Sequence, residues 1–299
     1  MNRNINFSSK FKSANILSLF IFIMSIVFII FKGLNYGIDF KGGTLIELRT
    51  DSKNSNIAAI RSSLNSMDLG DVNVKEFGKK GDYLIKVEQK TKNNNELIPE
   101  IKKNLINNLN AEISFRRVEN VGPKVSSELL QSGIIAISLS LAAMLFYIWI
   151  RFEWQFSLGA ITAVFHDVVI TLGFFSLLNF EINLSIVAAV LTIVGYSMND
   201  TVVIFDRVRE NLRKYADIKI FEITNISINE TLSRTIITSV TTLLALLSIF
   251  IFGGAILKGF SFAMILGVIV GTYSSIYIAN PILVRLNVSQ KTILKEEKE

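Results

Sequence analysis

The sequence predicts an all-α membrane bundle of six spanning helices that carries one inserted soluble α+β domain. Three observations predict it. The chain is 50% hydrophobic, yet residues 32 to 131 are polar and charged. Outside that stretch most of the chain comes in apolar runs of about 18–22 residues, the length that crosses a hydrocarbon core of about 30 Å. Within it, strand-like alternation and helix-like spacing follow one another in a regular order.

The first run, Ala14–Phe31, follows Arg3, Lys10 and Lys12. Its charged start resembles that of a signal peptide, but the apolar part is too long and "FKGLNYGIDF" offers no small-residue cleavage pattern. An uncleaved anchor is expected. The next segment, "GIDFKGG", places Gly37, Gly42 and Gly43 around Asp39 and Lys41 and reads as a tight junction into a strand. It lacks the lysine-serine/threonine ending of a phosphate loop.

In the polar stretch, "TLIELRT" alternates as a strand and "NIAAIRSSLNSM" has helical spacing. Two strands, "DVNVKEF" and "DYLIKVEQ", meet at Gly78–Gly81, and "ELIPEIKKNLINNL" is a second amphipathic helix before a last strand, "AEISFRRVENV". The order β-α-β-β-α-β is that of a ferredoxin-like split unit. Gly122 and Pro123 then open a helix that continues into the second span, proline being suited to a first helical turn.

The remaining spans are expected at Gly133–Ile150, Phe156–Leu178, Ile182–Phe205, Thr235–Ile256 and Phe260–Leu286. The chain thus divides into a tail (1–13), the first span (14–31), a soluble domain with its connector (32–132), five spans with a loop over 206–234 (133–286), and a second tail (287–299). Lysine and arginine set the orientation. The N-terminal tail, Arg151, "DRVRENLRKY" and the C-terminal lysines fall on one side if both termini are cytoplasmic. The soluble domain then faces the periplasm, in the inner membrane of a bacterium.

Composition excludes several classes of function. Cysteine is absent and His166 is the single histidine, so disulfides, thiolate sites and multi-histidine metal clusters are ruled out. The net charge of +6 sits beside apolar spans, which fits topology rather than nucleic-acid binding. No cofactor is expected.

Asp200 is the leading candidate for chemistry. It follows Asn199 inside an apolar run, where a carboxylate costs about 2.5–3.5 kcal/mol on insertion scales. Ser185, Ala189, Thr192, Tyr196 and Asn199 recur at spacings of four, three, four and three, which suggests one small-and-polar stripe turned toward protein. Arg234, at the start of "TLSRTIITSVTTL", could pair with Asp200 and be released when the acid is protonated. Topology signalling would also account for that arginine. His166 and Asp167 sit about eleven residues into the third span; adjacent helical residues point about 100° apart, so they need not serve one partner. A proton relay and a structural hydrogen bond both remain open for them. Gly195, in "GYSMND", and Gly259, Ala263, Gly267 and Gly271, at every fourth position, suit close helix packing.

These motifs converge. "YGIDFKGGTLIEL", "VGPKVSSELL", "FHDVVITLG", "GYSMNDTVVIFDRVREN" and "LSRTIITSVTTLLA", in this order, resemble the SecD/SecF family of bacterial protein-export membrane proteins. The likeness runs from about Leu34 to Leu283. It implies a fold similar to half of an RND-type transporter, a partner of the same build (SecD), and association with the SecYEG channel and YajC. It also implies that the proton-motive force helps draw preproteins outward late in translocation, with Asp200 and Arg234 on the proton path. The rival readings are half of an RND-type exporter of lipids or small molecules, a passive assembly scaffold, and an intramembrane aspartyl protease using Asp167 and Asp200. "GYSMND" does not supply the protease signature G-x-G-D, and no enzymatic activity is expected.

Overall fold

The computed structural model describes residues 5–50, 56–67, 69–70, 72–76, 80–87, 94–109, 112–215 and 217–296. Arg3, the Gly78 end of the expected hairpin and residues 297–299 lie outside them. The chain forms two compact units, Met1–Asn35 with Ile135–Glu299, and Tyr36–Ile134.

The smaller unit begins after β1 (Asn35–Tyr36) with a one-turn helix α2 (Ile38–Lys41), followed by β2 (Gly43–Thr50), α3 (Ile57–Asn65), β3 (Val72–Glu76), β4 (Asp82–Val87), α4 (Asn94–Leu109) and β5 (Ile113–Val121). This is the strand-helix-strand-strand-helix-strand order read from the sequence. The four longer strands form one antiparallel sheet in the order β3-β4-β2-β5. Alternation along β2 buries Thr44, Ile46 and Leu48 completely, and these meet Ile60, Leu64, Ile101 and Leu105 from the two helices. Asn56 caps α3 by accepting from the Ala59 amide at 2.8 Å. Arg49 grips Asp82 on the neighbouring strand with two bonds of 2.6 and 2.7 Å. The Gly37–Gly43 junction folds as the short helix α2, with Asp39 in its first turn. Gly42 and Gly43 take φ of 79° and 119°, a region that side chains avoid. A Cβ on Gly42 would lie 3.2 Å from Ser126 Oγ and 3.3 Å from the Val121 carbonyl. Ser126 Oγ donates to the Gly122 carbonyl at 3.1 Å, and Pro123 opens α5 (Pro123–Arg151) as its first residue.

The larger unit contains α1 (Phe11–Lys32), the rest of α5, α6 (Trp154–Leu178), β6 (Glu181–Ile182), α7 (Leu184–Lys214), α8 (Ile220–Phe252), α9 (Gly254–Ser274), α10 (Asn280–Arg285) and α11 (Gln290–Glu296). Six helical stretches are long and apolar enough to cross a membrane. In the apolar parts of α6, α7 and the α9–α10 span, 50–56% of residues are buried, against 11–17% in α1, α5 and α8. The first three therefore form the centre, and the others present apolar side chains outward as lipid-facing helices do.

One feature differs from the sequence expectation, and two go beyond it. The loop expected over 206–234 is mostly helical: α7 runs to Lys214 and α8 starts at Ile220. Arg207 holds Glu230 at 2.7 Å and Asn211 donates to Glu230 at 2.7 Å, so the two helices stay paired beyond their apolar parts. The N-terminal segment is also fixed, because Asn225 accepts from the Phe7 amide at 2.8 Å and Asn229 from the Ile5 amide at 2.9 Å. Finally, the last span is not one uniform helix. Residues Ser275–Ala279 form a π-helical turn, just before Pro281 enters α10. Proline has no N–H for the ordinary i→i−4 bond, and the π turn takes up the mismatch. Asn280 stabilises it by donating to the Ser275 carbonyl at 2.7 Å.

Glycines decide how closely helices approach. A Cβ on Gly173 of α6 would lie 2.7 Å from Ser25 Cα, so α1 rests on α6 at that point. Gly267 of α9 sits against Ile193 of α7, with Ile193 Cδ1 2.6 Å from where a Cβ would be, and Gly271 sits 3.2 Å from Ser197 Cα by the same measure. Gly259 has a looser contact, 3.4 Å to Ile186. Gly195 is different: it is exposed and a Cβ there would meet nothing within 4 Å. Its expected role in packing is corrected for contacts inside this chain, because its side of α7 faces away from α9. Gly173→Ala should therefore lower stability by about 1–3 kcal/mol through overpacking. Gly195→Ala should leave it unchanged or slightly raised, by up to about 1 kcal/mol from helix propensity. Thermal unfolding in nanodiscs separates the two; equal effects would contradict this packing.

Candidate functional site

Two buried carboxylates stand on the central helices, and their surroundings differ. Asp167 of α6 is fully buried. Its Oδ1 lies 2.9 Å from His166 Nδ1, and its Oδ2 accepts from Ser197 Oγ of α7 at 2.6 Å and from Ser274 Oγ of α9 at 2.7 Å. Three helices are thus joined through one carboxyl group, beside the π-helical turn. Aligned side-chain partners on both oxygens satisfy most of a carboxylate's acceptor capacity.

Asp200 of α7 is 3% exposed, yet it has little support. Its Oδ2 accepts one long bond, 3.3 Å, from Thr272 Oγ1 of α9. Thr272 in turn is 2.7 Å from Ser239 Oγ of α8. The group is placed by helical geometry: Ser197, Asp200 and Thr201 lie within one turn on the buried face of α7, and Thr272 and Ser274 approach from α9 because Gly267 and Gly271 bring that backbone close. A carboxylate charge among apolar helices is costly unless a cation approaches it.

Arg234 is the available cation. It is exposed, forms no ion pair within 4.0 Å among the described residues, and stands on α8 five residues before Ser239, which reaches Thr272 beside Asp200. The expected direct pair is therefore open in this structure.

Several other sequence expectations need correction. Ser185, Thr192 and Asn199 are exposed, whereas Ala189 is buried, so they do not form one inward stripe. The buried face of α7 instead runs through Ile186, Ala189, Ile193, Ser197, Asp200 and Ile204. Asn199 is turned away from its neighbour Asp200. His166 and Asp167, which by helix geometry need not serve one partner, bond to each other at 2.9 Å. His166 also stacks on Phe22 with planes 5° apart. Sequence reasoning passed over Ser197, Ser239, Thr272 and Ser274. The available signal is the hydroxyl residues one turn from Asp200 and those in "GTYSS" of an apolar span. Among the described residues no group of three or more His, Cys, Asp or Glu could hold a metal ion.

The family description "Protein export membrane protein SecD/SecF, C-terminal" matches residues 101–289, and "SecD/SecF GG Motif" matches residues 27–53, which include the Gly37–Gly43 junction. The chain belongs to the SecD/SecF family. SecD/SecF relatives named protein translocase subunit SecF include one from Cereibacter sphaeroides, 44% identical over 94% of this chain and 89% of its own length. Another, from Rickettsia bellii, is 47% identical over 88% of both chains. Among solved structures, the SecDF crystal structure from Thermus thermophilus, a translocon-associated membrane protein, matches with a TM-score of 0.87 at 34% identity. It covers 95% of this chain, which spans only 39% of that SecDF chain. SecDF in its super-membrane-facing form matches with a TM-score of 0.71. The helices and sheet of this SecD/SecF member follow the SecDF plan.

Proposed function

We propose that the chain is a proton-driven accessory subunit of the Sec translocase, working with SecD beside the SecYEG channel, with YajC as a further associate, late in preprotein export. In this reading it lies in the bacterial inner membrane with both termini in the cytoplasm. The Tyr36–Ile134 unit is a ferredoxin-like periplasmic domain, a reading supported by its strand order. SecD is the partner favoured by the likeness to SecDF chains more than twice as long.

The observation that carries the proposal is the contrast between the two acids. Asp167 is tied by three side chains, whereas Asp200 holds one long bond with an unpaired arginine nearby. A group that must gain and lose a proton cannot be over-satisfied in one state. When Asp200 is ionised, Arg234 closes on it; when it is protonated, the attraction ends and α8 relaxes from α7. One charge moved through 100 mV supplies about 2.3 kcal/mol, enough to bias two near-equal helix packings. The rearrangement drives the outer domain, which holds emerging chain and stops it sliding back.

The test is co-reconstitution with SecD and the channel in vesicles, measuring completion of preprotein export with and without a proton gradient. A gradient-dependent gain that requires this chain supports the proposal; a gain independent of the gradient favours a passive scaffold. Within that assay Arg234→Lys should keep much of the gain and Arg234→Ala should lose it. Equal losses would mean that charge at position 234 is not what matters.

A further inference from the structure

The end of the bundle formed by the start of α1 and the end of α10 carries a groove that contains neither Asp200 nor Arg234. It consists of two cavities, of about 290 and 460 Å³, that share Asn15 and Arg285. The smaller is walled mainly by apolar side chains: Leu19 and Phe22 of α1, Phe165 of α6, Ile278 of the π turn and Ile282 of α10. The larger is lined by Lys12, Ser8 and Ser9 beside Phe11, Phe221, Pro281 and Val284.

Charge separates this groove from its surroundings. Three other arginines at the polar ends of the spans have acids: Arg151 holds Asp206 at 2.8 Å, Arg207 holds Glu230 at 2.7 Å, and Arg209 holds Glu153 at 3.1 Å. The side chains of Lys12 and Arg285 form no hydrogen bond or ion pair among the described residues, and no acid lines either cavity. Two unpaired cations therefore stand over an apolar channel. His166, a residue 6% exposed, also lines the smaller cavity, and its buried Nε2 makes no hydrogen bond among the described residues.

We propose that this groove binds one anionic phospholipid, its phosphate between Lys12 and Arg285 and one acyl chain along Phe22, Phe165 and Ile282. Basic pockets between membrane helices recognise anionic headgroups in this way. Each cation contributes about fivefold to such binding and the two together roughly 25-fold. The inference does not depend on proton transfer by Asp200.

Native mass spectrometry of the full chain in detergent, titrated with dioleoyl phosphatidylglycerol or dioleoyl phosphatidylcholine, tests it. One phosphatidylglycerol should bind saturably and about tenfold or more tighter than phosphatidylcholine. Lys12→Ala with Arg285→Ala should weaken that binding by roughly 25-fold, while Arg151→Ala, at an arginine with its own acid, should not. Ile282→Trp, which fills the tail channel without changing charge, should weaken both lipids. All the substituted residues are at least partly exposed, and an unchanged thermal midpoint verifies folding. The proposal is overturned if the double variant retains phosphatidylglycerol like the parent, if phosphatidylcholine binds equally well, if Ile282→Trp has no effect, or if no saturable lipid is found because a protein segment covers the groove.

Discussion

Asp200→Asn should abolish the gradient-dependent part of export while leaving the protein folded and assembled. Asparagine keeps the size of the side chain and can still accept from Thr272, so the long contact at 3.3 Å survives. What it removes is the ability to exchange a proton and to attract Arg234. If one proton drives each stroke through 100 mV, the loss is bounded by about 2.3 kcal/mol, or roughly 50-fold in rate. Export rates in vesicles with and without a gradient read it directly. Asp200→Glu, which restores the charge on a longer arm, should recover part of the gain. An Asp200→Asn protein that still responds fully to the gradient would exclude this carboxyl from the coupling.

Asp167→Ala should act differently, on stability. Removing the carboxyl leaves His166 Nδ1, Ser197 Oγ and Ser274 Oγ without the acceptor that joins α6, α7 and α9. Leaving buried polar groups unpaired costs about 1–3 kcal/mol for each group that finds no substitute. The two serines can turn to backbone carbonyls, as Ser274 already does toward Gly271 at 3.1 Å, so a total of about 2–5 kcal/mol is expected. Asp167→Asn should cost less, because one amide oxygen still accepts. Thermal unfolding in nanodiscs gives the ranking, and an Asp167→Ala protein as stable as the parent would show that this network does not hold the bundle together.

Much of the architecture was legible because it follows from one-dimensional patterns. Six apolar runs announce six spans, and "TLIELRT" announces a strand buried on one face, as Ile46 and Leu48 prove to be. Asp200 was legible for the same reason: an acid in an apolar run stands out against its neighbours. Direction was less legible. Asn199 and Asp200 are adjacent, and only the packing of α9 on Gly267 and Gly271 decides which of them turns inward. The continuation of α7 to Lys214 was missed because hydropathy ends at the membrane surface, whereas a helix continues in water when Arg207 and Asn211 find Glu230 on its neighbour. The serines around Asp167 were missed because a hydroxyl in an apolar span satisfies itself on its own helix as readily as across helices. Thr201, which donates to the Ser197 carbonyl at 3.2 Å, shows that alternative.

The most direct test of the account is infrared difference spectroscopy of the assembled complex with SecD, recorded as a proton gradient is imposed and collapsed. The account predicts a carboxylic acid C=O band that grows and fades with the gradient and is missing in Asp200→Asn. A band that ignores the gradient, or one that persists in Asp200→Asn, would contradict it.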